Sequence, residues 1–132
     1  MERYVVMLRT DGDDKDITEW AMAETGHTIP LRFIADKDEL DSVTASSGDP
    51  VLILLNDTGA AHKGHERLVQ LKSDPLYAHI PIVLLGEISS HDYIRDCYRA
   101  GANSFIIKPS TVEETKKKVS HFFNYWLNVA EV

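Results

Sequence analysis

Five short apolar runs punctuate the chain: Tyr4 to Leu8, Leu31 to Ile34, Val51 to Leu55, Ile82 to Leu85 and Phe105 to Ile107, with helix-like patterning between them. Each run is too short for a helix, and its unbroken apolar character suits a strand buried on both faces rather than one with a wet side. Strands of that kind alternating with helices build a parallel sheet covered by helices on both faces. The chain is therefore expected to be α/β.

The intervening segments carry their own punctuation. A first helix is expected from Asp13 or Asp14, whose acids suit a helix start, to just before Gly26, with Ile17, Trp20 and Ala21 turned inward. A short second helix lies between Asp36 and Ser47 around Leu40 and Val43, and Gly48-Asp49-Pro50 breaks it. A third carries Leu68 and Leu71 and stops at Ser73-Asp74-Pro75; a fourth places Ile94, Cys97 and Tyr98 on one stripe and ends at Ala100-Gly101; a fifth runs from Val112 through Trp126. The first strand is followed by an acidic turn, and G-x-G-x-x-G is absent, which argues against a dinucleotide-binding fold. The predicted fold is a flavodoxin-like three-layer αβα sandwich: a five-stranded parallel sheet in order 2-1-3-4-5 with five helices. That order puts the crevice at the C-terminal ends of strands one and three, where Arg9, Thr10, Asp11 and Asn56 are expected to converge.

Length and charge narrow the function classes. The 132 residues, 43% hydrophobic and 27% charged, suit one domain spanning residues 1–132. Fourteen Lys and Arg against 21 Asp and Glu give a formal charge of -7, which opposes attraction to nucleic acid or anionic lipid. The lone Cys97 excludes an internal disulfide and a multi-cysteine zinc site. No apolar run approaches membrane-spanning length and no signal-peptide core follows Met1, so the expected location is cytoplasmic.

The stretch VLILLN with Gly64 beyond it, LVQLKSDPLYAHIPIVLL, YRAGANSFIIKP and the closing FFNYW together make the chain resemble the receiver domain of two-component response regulators. The likeness extends to stand-alone regulators of the phytochrome-associated type, whose third helix ends in a similar K-S-D-P turn. The resemblance implies phosphorelay chemistry, in which a strand-three aspartate takes a phosphoryl group and an acidic pair closing strand one holds Mg²⁺. Mapped by motif, the acceptor position is Asn56, the acidic pair falls on Arg9 and Thr10, the strand-four hydroxyl position is Gly86, the aromatic switch is Phe105, and the lysine before Pro109 is Lys108. Lys108 alone keeps the family residue.

The departures have chemical consequences. The Asn56 amide delocalises its nitrogen lone pair and its oxygen is neutral, so no acyl phosphate is expected there. Replacing two acids by Arg9 and Thr10 removes the hard anionic ligands that Mg²⁺ requires, so no metal or cofactor is expected. Gly86 has no hydroxyl to follow a phosphoryl group. A one-residue shift in DGDDKD would bring Thr10 and Asp11 to the pair instead; one acid would not restore the acceptor. Asp57 follows Asn56 and, by strand alternation, is expected to point away from it.

Blander readings hold elsewhere. His62 and His65 have an H-x-x-H spacing without a third ligand, DGDD lacks the later oxygen ligands of a calcium loop, and Cys97 suits a core position. Lys108 is read as a structural donor to Asn56 or Asp11. Val119, Phe122, Phe123 and Trp126 form a stripe on a 3.6-residue period, while Tyr125 and Val129 extend past it. The expected function is an atypical, degenerate receiver, not an enzyme, acting without phosphorylation through contact with a histidine kinase or output protein. A homodimer through helix four, strand five, helix five and the tail residues Tyr125 and Trp126 is the expected assembly. The alternative is a pseudo-receiver binding a small anionic ligand between Arg9 and Lys108.

Overall fold

A computed structural model describes residues 3–8, 12–26, 29–57, 63–87 and 90–132, with only the backbone of residues 12–14. The chain alternates strand and helix: β1 (Val5–Leu8), α1 (Gly12–Glu24), β2 (Leu31–Ile34), α2 (Lys37–Ser47), β3 (Leu52–Asp57), α3 (Lys63–Lys72), β4 (Ile82–Gly86), α4 (His91–Arg99), β5 (Ser104–Ile107) and α5 (Val112–Asn124). All neighbouring strands pair in parallel, in the order β2-β1-β3-β4-β5. The flavodoxin-like topology expected from the apolar runs is the one formed.

Alternation along the central strands divides the core into two layers. Ile53 and Leu55 join Leu68, Leu71 and Cys97 on the side of α3 and α4, while Leu52 and Leu54 join Ala21, Val119 and Phe123 on the side of α1 and α5. β3 is buried along its whole length, as a central strand between two helical layers must be.

Side-chain caps set the helix starts. Asp36 accepts the Glu39 N–H at 2.9 Å, Ser90 that of Tyr93 at 3.1 Å and Thr111 that of Glu114 at 3.2 Å. After α1 the chain turns through Gly26 at φ +74°, a left-handed conformation that glycine adopts without steric cost. The loop after α3 is held by Lys72, whose ammonium donates to the Ile80 carbonyl at 2.9 Å and to that of Ala78 at 3.3 Å.

Four local expectations need correction. Trp20 is 41% exposed, with the Lys116 ammonium 4.8 Å from its ring centre. The buried face of α1 is instead Thr18, Ala21 and Met22, and position 20 lies about 200° around the helix from 18 and 22. On α4 the inward stripe is Tyr93, Cys97 and Ala100, not the one ending in Tyr98, which is 48% exposed. β3 continues two residues beyond Leu55 and takes both Asn56 and Asp57 into the sheet. The last helix changes after Asn124 to a π-helix over Tyr125–Val129, closed by the Ala130 N–H on the Tyr125 carbonyl at 2.7 Å. The wider turn buries Leu127, while Tyr125 and Val129 stay exposed.

Candidate functional site at the C-terminal edge of the sheet

The ends of β1, β3 and β4 meet at one edge, where Leu8 lies opposite Leu55, Asn56 opposite Leu85 and Asp57 opposite Gly86. Asn56 and Asp57 are both buried, at 1% and 3% exposure. As consecutive strand residues they serve opposite layers. Asn56 follows the α1–α5 side of Leu52 and Leu54, and Asp57 follows the α3–α4 side of Ile53 and Leu55, so Asp57 does point away from Asn56.

Both oxygens of the Asp57 carboxylate are engaged. Oδ1 accepts the Gly64 N–H at 3.0 Å and Oδ2 accepts the Tyr93 hydroxyl at 2.7 Å. The same Tyr93 oxygen accepts the His65 N–H at 3.2 Å. A buried carboxylate demands such partners, because an uncompensated charge is costly away from water. Burial, reinforced by the bond to Asp57, holds the Tyr93 phenol well above its ordinary pKa, so it remains a proton donor.

Gly86 and Phe105 complete the edge. A β-carbon on Gly86 would lie 3.1 Å from Cζ of Phe105 and 3.2 Å from the Asp57 carbonyl oxygen, so the ring occupies space that a β4 side chain would need. The Phe105 ring stands perpendicular to that of Tyr93 with centroids 6.1 Å apart, an edge-to-face pair. Lys108 is half-buried, and its N–H donates to the Gly86 carbonyl at 2.8 Å.

Of the residues singled out by sequence, Asn56, Gly86, Phe105 and Lys108 lie at or beside this edge. Arg9, Thr10 and Asp11 fall outside the described residues, as does His62. The His65 ring lies 6.4 Å from that of Tyr93, and the described residues contain no group of three or more His, Cys, Asp or Glu placed to hold a metal ion. Cys97 is fully buried, and burial pushes its thiol up to about 11, which suits packing rather than nucleophilic attack. Sequence reading missed Tyr93 as a core and site residue. Its spacing four residues before Cys97 was the available signal.

A parallel five-stranded α/β sandwich whose C-terminal edge gathers the end of β3, the end of β4 and a lysine after β5 defines a receiver-type signalling domain. The comparisons agree. No family model matches the chain. It is 32% identical over 112 residues to the probable methanogenesis regulatory protein FilR2 of Methanothrix harundinacea, covering 81% of this chain and 72% of that protein. Shorter matches to other curated regulators span about half of those proteins' length. Among solved structures, a response regulator receiver domain from Rhodospirillum rubrum superposes with a TM-score of 0.84 at 23% identity, over 98% of this chain and 96% of that one. The phosphorylated cyanobacterial phytochrome response regulator RcpA gives 0.77 at 25% identity, over 98% and 97%. The chain belongs to the response regulator receiver domain family of two-component signalling.

Proposed function

We propose that this receiver domain signals through protein contact without accepting a phosphoryl group. The observation that carries the reading is the buried amide of Asn56 at the end of β3, the position at which the resemblance puts the acceptor carboxylate. An amide at 1% exposure offers neither a charged nucleophile nor an anionic metal ligand. The neighbouring carboxylate, Asp57, belongs to the other layer and spends both oxygens on α3 and α4. The domain accordingly acts as a binding module, not an enzyme, and needs no cofactor.

Partner contact falls to α4, β5, α5 and the tail. β5 is an edge strand, and side chains take two of its outward groups: the Phe105 N–H donates to the Tyr98 hydroxyl at 3.0 Å, and the Ile107 carbonyl accepts the Lys118 ammonium at 2.8 Å. Strand addition is thereby discouraged, so a kinase, an output protein or a second copy would dock on side chains such as Tyr125, with Trp126 supporting it from a half-buried position at 5.5 Å between ring centres. No helix among the described residues is long and apolar enough to cross a membrane.

Incubation with acetyl phosphate or phosphoramidate and Mg²⁺ tests the reading. The intact mass is expected to stay unchanged, and a labile increase mapped to Asp57 or Asp11 would overturn it. Titration with Mg²⁺ is expected to leave Trp20 and Trp126 fluorescence and the melting temperature unaltered.

A further inference from the structure

We infer that the Asp57–Tyr93 contact is a built-in tether that holds α4 and the Phe105 ring in one conformation, doing with a resident carboxylate what a transient modification would otherwise have to do. The inference rests on the phosphorylation-independent reading and names the device that replaces the modification. Three observations converge on it. Asp57 is anchored in the centre of the sheet, 3% exposed, with Oδ1 on the first turn of α3. Its Oδ2 reaches across 36 residues of sequence to the Tyr93 hydroxyl on α4, and that hydroxyl also receives the His65 N–H, so one oxygen ties β3, α3 and α4 together. The Tyr93 ring in turn stands perpendicular to that of Phe105, which packs over the bare backbone of Gly86.

The parts depend on one another. If α4 moves away, Oδ2 of the buried carboxylate loses the Tyr93 hydroxyl while Oδ1 keeps the Gly64 N–H, so displacement of the helix costs one charge-assisted hydrogen bond. Tyr93 positions Phe105 through ring packing, and the absent side chain at Gly86 leaves the ring its seat. The α4–β5 face, where a partner would read the domain, is thus held by contacts already in place without a phosphoryl group.

Hydrogen exchange of the intact protein, read by mass spectrometry with no phosphodonor present, tests this independently of whether any residue accepts phosphate. In Tyr93→Phe, which keeps the ring but removes the hydroxyl, the amides of His91–Arg99 are expected to exchange about tenfold faster or more, with α1 and α5 within about twofold of wild type. Exchange that is unchanged, or equally faster in every helix, overturns the tether. Asp57→Asn, which retains an acceptor of the same shape without its charge, provides a second variant should Tyr93→Phe fail to fold; a smaller acceleration confined to α4 supports the inference and none refutes it. In protein labelled with 4-fluorophenylalanine, the Phe105 fluorine signal is expected as one sharp line in wild type and as a broadened or split line in Tyr93→Phe. A sharp, unshifted line in both overturns the claim that Tyr93 holds the ring.

Discussion

Gly64 sits directly beneath the side chain of Asp57: a β-carbon built on the glycine would lie 2.6 Å from Cγ and 2.7 Å from Cβ of the aspartate. The backbone of α3 approaches the end of β3 this closely because the Gly64 N–H donates to Asp57 Oδ1. Any side chain at 64 must push the carboxylate out of its bonds.

Gly64→Ala is therefore expected to destabilise the fold by about 1–3 kcal/mol in urea titration, despite alanine's better helix propensity. The clash involves Cβ as well as the carboxyl group, so an Asp57→Ala background is expected to leave most of the cost in place. Asp57→Gly is expected to remove it. Equal costs of Gly64→Ala in the wild-type and Asp57→Gly backgrounds would show that the two residues do not meet as described.

Gly86→Thr is expected to cost about 1–3 kcal/mol as well, since the added atoms enter space held by the Phe105 ring 3.1 Å from the first of them. Truncating the ring provides the check. In a Phe105→Ala background the cost is expected to fall but not vanish, because the Asp57 carbonyl oxygen still lies 3.2 Å from the added β-carbon; an undiminished cost there would place the conflict away from the ring.

Tyr125→Ala and Val129→Ala are expected to change stability by no more than about 0.5 kcal/mol, because these side chains are 52% and 62% exposed. Sedimentation across a concentration series is expected to show wild-type self-association that Tyr125→Ala weakens, with a loss of about 2 kcal/mol or more if the ring is a central anchor. A wild-type monomer at every concentration would leave only a heterologous partner.

Alkaline pH reports on the buried phenols. Tyr77 is fully buried; its hydroxyl donates to Asp41 Oδ1 at 2.5 Å, and its oxygen accepts the Thr44 hydroxyl at 3.3 Å. Burial first, and the bond to Asp41 second, push its pKa up to about 12 from an ordinary 10.0. A pKa raised on folding means that the unfolded chain gives up the proton first. The stabilisation is complete below pH 10 and is lost as the pH rises from 10 through about 12. Denaturant midpoints are expected to fall across that window, and less steeply in Tyr77→Phe; parallel slopes for the two proteins would refute the assignment.

Much of this molecule was legible without coordinates. Five apolar runs dictated five parallel strands, Gly26 and the Ser73-Asp74-Pro75 stop marked helix ends, and the residue types at 56 and 86 already set limits on the chemistry those positions can do. Such features are local: strand alternation, helical period and turn stereochemistry act between residues a few places apart and leave their mark in sequence order. Tertiary structure alone decided that Tyr93 serves Asp57, that Phe105 lies over Gly86, and that Trp20 faces outward beside Lys116. Those pairings span 19 to 96 positions of sequence (105 − 86 and 116 − 20) and depend on how the crossovers lay helices against the sheet. A buried carboxylate finds its donor only when two distant elements pack, because it is the exclusion of water between them that makes the bond obligatory.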